Sequence, residues 1–138
     1  MGWIEDTVTA AVARIRSGQD VDVTFLRDRI GDRLAALDPE RVFDPIALEV
    51  ARRFESGRSS YGEGDEIMNA VWSLMLDEMA ATPGPFSPLA LAVYEAFDAG
   101  EFDLGDGVDR VEAVTRPLVR ELLSTWSGSS PSGDGAEP

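Results

Sequence analysis

The chain has 138 residues, 26 acidic against 12 basic side chains, a formal charge of −14, and neither cysteine nor histidine. All twelve basic residues are Arg. Disulfides, Cys-His and Ser-His-Asp nucleophile systems, Schiff-base lysines and histidine metal sites are therefore excluded, leaving carboxylates, hydroxyls and guanidinium groups for any chemistry. The length fits one domain, which buries roughly two-thirds of the surface its unfolded chain exposes.

The periodicity is helical from the start. Ile4, Val8, Ala11, Val12 and Ile15 recur at three- and four-residue spacing, the pattern of one buried helix stripe, and Gly18 ends it. Phe25 or Leu26, Ile30, Leu34 and Leu37 form a second stripe, with Asp22 or Thr24 as N-cap. Asp38-Pro39 and Asp44-Pro45 each read as a cap followed by proline at the first helical position. The second of these starts a helix with Ile46, Ala47, Val50, Ala51 and Phe54 inward and a stop near Gly57. Residues 58–64 read as a loop by composition. The most apolar helix follows at about 65–81, with Ile67, Met68, Val71, Trp72, Leu74, Met75, Leu76 and Met79 on more than one face, which predicts a central position. Ser87-Pro88 opens a helix with Leu89, Ala92, Val93, Ala96 and Phe97 inward, stopped by Gly100. The last helix, about 109–126, contains Pro117, so it kinks there or begins at Thr115 or Arg116. No strand alternation persists. The expectation is an all-α compact bundle of about six helices: a single helical domain over 1–127 and a flexible Gly/Ser/Pro-rich tail over 128–138.

The acidic start Met1–Asp6 predicts no secretory signal, and no run approaches the ~18 apolar residues of a membrane span, so the expected location is cytoplasmic.

Charge is distributed unevenly. Between Arg58 and Arg110 there is no basic residue, while the same stretch holds eleven acids. Solvated helix faces ordinarily mix both signs, because pairs at four-residue spacing contribute a few tenths of a kcal/mol each. A one-sign stretch raises the potential around the chain and bears on its partners. It predicts a surface for a basic protein, with no direct binding to nucleic acid and none to membranes. The candidate partner-binding residues are Tyr61, Glu63, Asp65, Glu66, Glu101, Phe102, Asp103, Asp106 and Asp109, with Phe86 and Leu104 as further loop anchors. Against this stands the bland reading, acids solvated on helix faces.

Two further constellations come with simpler readings. The loop 101–112 places Glu101, Asp103, Asp109 and Glu112 at positions one, three, nine and twelve of an EF-hand-like spacing. Gly105 stands where a ligand is wanted and Asp106 where glycine is wanted, so the loop predicts no metal and reads as an acidic loop capped by Asp109. Glu63, Asp65 and Glu66 beside Asn69 have the composition of acid–base partners, but favourable charge at a helix N-terminus, with Asp65 as cap, accounts for them. No enzymatic activity and no cofactor are expected. Met68, Met75 and Met79 read as core. Arg52, Arg53 and Arg58 are placed to fold back on the acidic stretch, and Trp3 and Trp126 to staple the ends together.

The segments Tyr61–Trp72, Val93–Glu101 and Thr115–Val119 resemble, over about 61–123, a set of small acidic bacterial proteins of no established activity. Such proteins include immunity proteins for secreted toxins, and the resemblance implies a toxin-neutralising role without catalytic residues to carry over. The leading expectation is thus an acidic module that occludes a basic partner. The alternatives are a nucleic-acid mimic that inhibits a DNA- or RNA-binding protein, and a carboxylate enzyme using a divalent ion.

Overall fold

The computed structural model describes residues 2–84, 87–101, 105 and 107–128. Among them the chain is all-helical: α1 (Trp3–Arg16), α2 (Val23–Ile30), α3 (Arg33–Ala36), α4 (Pro39–Glu55), α5 (Tyr61–Ala81), α6 (Pro88–Ala99), a π-helical turn (Val111–Thr115) and α7 (Arg116–Gly128). The tail expected beyond 128 lies outside the described residues, as do Phe86, Phe102, Asp103, Leu104 and Asp106.

Helices α4 and α5 form the centre. Helix α4 packs against α1, α3, α5, α6 and α7, and α5 against α1, α2, α4 and α6. One core joins Val8, Val12, Leu26 and Ile30 to Phe43, Ile46, Val50 and Phe54, then to Ile67, Met68, Leu74, Val93, Phe97 and Val119. Leu76 departs from the expected burial pattern; it is exposed. No helix of the described residues is long and apolar enough to cross a membrane.

Several boundaries differ from the sequence expectation, each for a local reason. The stripe running from Phe25 to Leu37 is not one helix. Gly31 takes φ +64°, which ends α2, and Leu34 and Leu37 return to the core from the short α3. Asp22, not Thr24, caps α2, accepting from the Phe25 amide at 2.9 Å.

The proline at position 45 does not start a helix. Helix α4 runs through it from the Asp38-Pro39 start, and Asp44 caps a different helix. Its Oδ1 accepts from the Ala90 amide of α6 at 2.9 Å, across 46 residues. Burial pushes the Asp44 carboxyl above its ordinary range, a rise opposed by this amide.

The stretch 58–64 is not all loop. Helix α5 begins at Tyr61 under a capping box in which Ser60 Oγ accepts from the Glu63 amide (3.1 Å) and Glu63 accepts from the Ser60 amide (2.8 Å). Asp65 is therefore not its cap. At the other end, Asp109 Oδ1 accepts from the Val111 (3.0 Å) and Glu112 (3.3 Å) amides, as a cap should. The wide π turn then leads into α7, so Pro117 falls in the first turn of a helix where its missing N–H costs little.

Candidate functional site

Gly64 and Gly100 bring the start of α5 against the end of α6. A Cβ on Gly64 would sit 2.6 Å from the Phe97 ring, so only glycine lets that ring lie on the first turns of α5. A Cβ on Gly100 would collide with Thr115 Oγ1 and crowd the Tyr61 ring. Through this contact the Tyr61 hydroxyl donates to the Phe97 carbonyl at 2.5 Å, and the buried Thr115 hydroxyl donates to the Ala96 carbonyl at 2.6 Å. Two carbonyls near the end of α6 thus accept from side chains of two other elements, the Phe97 carbonyl in addition to the Gly100 amide at 3.0 Å. The Tyr61 ring stacks on Phe97 at 5.6 Å, and Phe97 meets Phe54 edge-on at 5.2 Å.

The same packing assembles carboxylates. Asp65 on α5 comes beside Glu101 and Asp98 at the end of α6. Burial, then the hydrogen bond and negative charge of Glu101 and the charge of Asp98, push Asp65 up to about 7. At neutral pH the Asp65 carboxyl therefore carries a proton part of the time. Burial first, and then Asp65, Glu101 and Asp98, push the Tyr61 phenol upward. Tyr94 is raised by burial and then by Asp98, Glu101 and Asp65, which sets its ring in the same field. Tyr94 stacks on Trp72 with centroids 4.8 Å apart and planes 13° apart. Helix α6 has no basic residue in its last turn. Its negative pole therefore adds to the three carboxylates.

Other acids of the Arg-free stretch are compensated by guanidinium groups from the first two helices. Arg16 of α1 pairs with Glu63 at 2.7 Å and also donates to the Arg58 carbonyl. The hydrogen bond from Arg16 holds Glu63 below its ordinary range. Arg27 of α2 pairs with Glu78 at 2.7 Å and Asp77 at 3.6 Å. Glu66 accepts from the Val21 amide at 2.8 Å. The basic cluster nearer in sequence goes elsewhere: Arg53 and Arg58 both reach Glu49, which precedes the stretch. In α7, Arg116 and Arg120 pair with Glu55. Among the described residues no guanidinium lies within ion-pair distance of Asp65, Asp98 or Glu101.

Of the sequence-predicted site residues, the structure thus brings together Tyr61, Asp65 and Glu101. Glu63 and Glu66 are committed to Arg16 and Val21, and Asp109 to a helix start. Asp98 and Tyr94 complete the cluster and were not singled out from the sequence, since nothing local marks them; steps of four and then three residues lead from Tyr94 through Asp98 to Glu101. Trp3 is half-buried beneath the Arg33 guanidinium, 4.9 Å from its ring centroid. Among the described residues no group of three or more acids is placed to hold a metal ion. In the EF-hand-like spacing, Asp109 is turned to backbone amides and Glu112 to Arg116, while Asp103 lies outside the described residues. No family model matches the chain, and neither a curated protein nor a solved structure is similar to it.

Proposed function

We propose that this chain is a protein-binding module that docks on a basic partner through Asp65, Asp98 and Glu101, and most concretely a bacterial immunity protein that occludes a toxin. The observation that carries this reading is the selective pairing of the acidic stretch. Glu63, Asp77 and Glu78 receive guanidinium partners from α1 and α2, whereas among the described residues no ion pair reaches the three carboxylates between α5 and α6. Like charges held together without compensation destabilise a fold, so their persistence favours a use outside it. The neighbouring rings support the same use. Tyr61, Tyr94 and Trp72 offer apolar and π surface beside the carboxylates, the combination that suits an Arg or Lys side chain.

In this mechanism the partner's cation takes the place that Arg16 and Arg27 fill elsewhere on the surface. It engages Asp65 and Glu101, displaces the proton that Asp65 carries, and loses access to its own anionic substrate. Steering by the negative surface raises the association rate by roughly ten- to a thousandfold and makes it fall with salt. The nucleic-acid-mimic reading has less behind it, because Arg16 and Arg27 interrupt what would have to be a continuous row of acids.

The test is a binding measurement with a toxin candidate encoded next to this chain, at low and high salt, using Asp98→Lys and Glu101→Lys with Asp77→Lys as the control. The expected result is a large loss for the first two and a small one for the control. Equal affinity for all three would remove the docking site from α5 and α6.

A further inference from the structure

A second feature lies between α1 and the end of α4. Thr9, Val12, Ala13 and Arg16 recur at three- and four-residue spacing on one face of α1, and this face lines a groove of about 510 Å³. That volume lies within the roughly 300–1,000 Å³ typical of small-molecule sites. Arg53 and Arg58 line the groove from the α4 side. Its charged lining is therefore Arg16, Arg53 and Arg58, without an acid among the described residues, in a chain that has 26 acids and only 12 bases.

The three guanidinium groups keep donors in reserve. Arg53 Nε donates to Glu49 at 2.7 Å, and its Nη2 donates to Thr9 Oγ1 at 2.8 Å and to the Glu5 carbonyl at 3.3 Å. Arg16 uses Nε and Nη2 on Glu63 and the Arg58 carbonyl. The Nη1 group of each makes no hydrogen bond to the described residues. Arg58 has less still. Glu49 is buried and already held by Arg53, so Arg58 stops 3.6 Å from it, beyond hydrogen-bond range, with its side chain 61% exposed. Thr9 Oγ1 accepts from Arg53, which leaves its own O–H to donate. The Ser17 hydroxyl at the groove's edge is turned to the Arg14 carbonyl. The side chains around the groove thus offer N–H and O–H donors to an occupant.

That inventory restricts the occupant. Three cations lean on two carboxylates, Glu49 and Glu63, which leaves one positive charge uncompensated. A cation is repelled here, and a neutral donor finds no acceptor to bond. An anion relieves the repulsion among the guanidinium groups and takes their free N–H donors. A carboxylate has two oxygens to share among three guanidinium groups, whereas a phosphate group presents three and suits their forked geometry. The net charge of −14 opposes any anion, but at ~0.15 M salt the Debye length is about 8 Å, so remote acids are screened while contacts in the groove persist. Glu5, exposed one turn before Thr9, lowers the affinity without closing the groove.

We propose that this groove binds a phosphate group, free or carried on a small phosphomonoester, with Arg16, Arg53, Arg58 and Thr9 donating to its oxygens. Val12 and Ala13 give the carrier of a monoester an apolar surface to lie on. The site is separate from the acidic cluster and stands whether or not that cluster docks a protein.

The test titrates the full nitrogen-labelled chain with inorganic phosphate, phenyl phosphate and acetate in ~0.15 M sodium chloride at about pH 7.5, where a monoester carries close to two charges, and follows the arginine Nε–H resonances by NMR. The expected result is saturable shifts at Arg16 and Arg53 with both phosphates and none with acetate at equal concentration. Tighter binding of phenyl phosphate assigns the groove to a monoester, and equal binding assigns it to free phosphate. Arg58→Gln removes a guanidinium that makes no hydrogen bond to the fold and should weaken binding at least about fivefold, while Arg52→Gln, an exposed neighbour outside the groove, should stay within about twofold of the parent. Ala13→Glu, at an exposed helical position, sets a carboxylate in the groove and should abolish the shifts in a chain whose remaining spectrum is unchanged. The proposal is overturned if the parent gives no saturable shifts, or if acetate binds as well as phosphate. It is overturned equally if Arg58→Gln or Ala13→Glu binds like the parent, or if Arg52→Gln loses as much as Arg58→Gln.

Discussion

Replacing Asp65 by Asn tests the acidic cluster without any partner. In the folded chain Asp65 keeps its proton up to about pH 7, against an ordinary value of 3.8. Between those values the folded state binds more protons than the unfolded one, so stability falls as pH rises through the window. The full displacement corresponds to ~4 kcal/mol. Water still reaches this half-buried carboxyl, and screening reduces the effect to about 1–2 kcal/mol. Urea unfolding followed by circular dichroism at pH 5, 6, 7 and 8 measures it. The parent should lose roughly two-thirds of that stability between pH 5 and 8, the rest being lost below pH 5. Asp65→Asn keeps the size and a hydrogen-bonding group but not the charge, so it should be about 1–2 kcal/mol more stable than the parent at pH 8, with the difference shrinking to roughly a third of that at pH 5. Asp44 is also raised, chiefly by burial, and acts in the same direction. Glu63 acts in the other direction. Held below its ordinary 4.5 by Arg16, it contributes stability that is lost only as pH falls beneath that value, outside the measured range. An undiminished slope in Asp65→Asn would show that Asp65 does not carry the raised titration.

Other consequences follow from single contacts. Gly64→Ala should gain helix propensity of roughly 1 kcal/mol yet lose more by pushing on the Phe97 ring, which is held between Phe54 and Tyr61; a net loss of about 1–2 kcal/mol in chemical denaturation is expected, and a stabilised variant would contradict the packing. Asp44→Ala removes the acceptor that caps α6 and should cost about 1–2 kcal/mol, with Asp44→Asn recovering most of it; equal losses for both would mean that capping is not what Asp44 does. Added sodium chloride should raise the melting temperature of the parent, and most of that rise should vanish in Asp65→Asn/Glu101→Gln, because the repulsion being screened lies at that cluster. Arg27→Ala should change stability by under about 1 kcal/mol, its ion pairs being largely exposed.

The helices were legible in the sequence because their apolar spacing is regular and their breaks carry chemical markers. Gly18, Gly57 and Gly100 end α1, α4 and α6 as expected, and α5 is as central as its all-round apolarity implied. The misreadings came from residues whose partners are far away in the chain. Asp44-Pro45 has the local form of a helix start, but Asp44 spends its carboxyl on α6. Gly64 looks like a loop residue until the Phe97 ring is placed over it. Gly31 breaks a stripe whose hydrophobic spacing runs on unbroken, because spacing records which residues face the core and not whether the backbone between them stays helical.

Charge needed the fold most of all. Counting along the chain correctly marks residues 59–109 as free of Arg, but compensation acts through space, and the Debye length of about 8–10 Å spans many elements of a domain this small. Arg16 lies 47 residues from Glu63 and Arg27 lies 51 from Glu78, so no local rule links them. What separates the paired acids from the unpaired ones is the position of each helix. The side of α5 that meets α1 and α2 faces the Arg-bearing part of the chain, and its acids are paired. The side that meets α6 faces a helix without any basic residue, and Asp65 there finds only Asp98 and Glu101. Among the described residues, the cluster of acids without guanidinium partners is therefore narrower than the composition implies and lies at the α5–α6 seam. Reversing Glu63, Asp77 or Glu78 should mainly disturb internal pairs, whereas reversing Asp98 or Glu101 should mainly disturb association. A charge-reversal series in which both sets alter stability and binding in parallel would contradict that division.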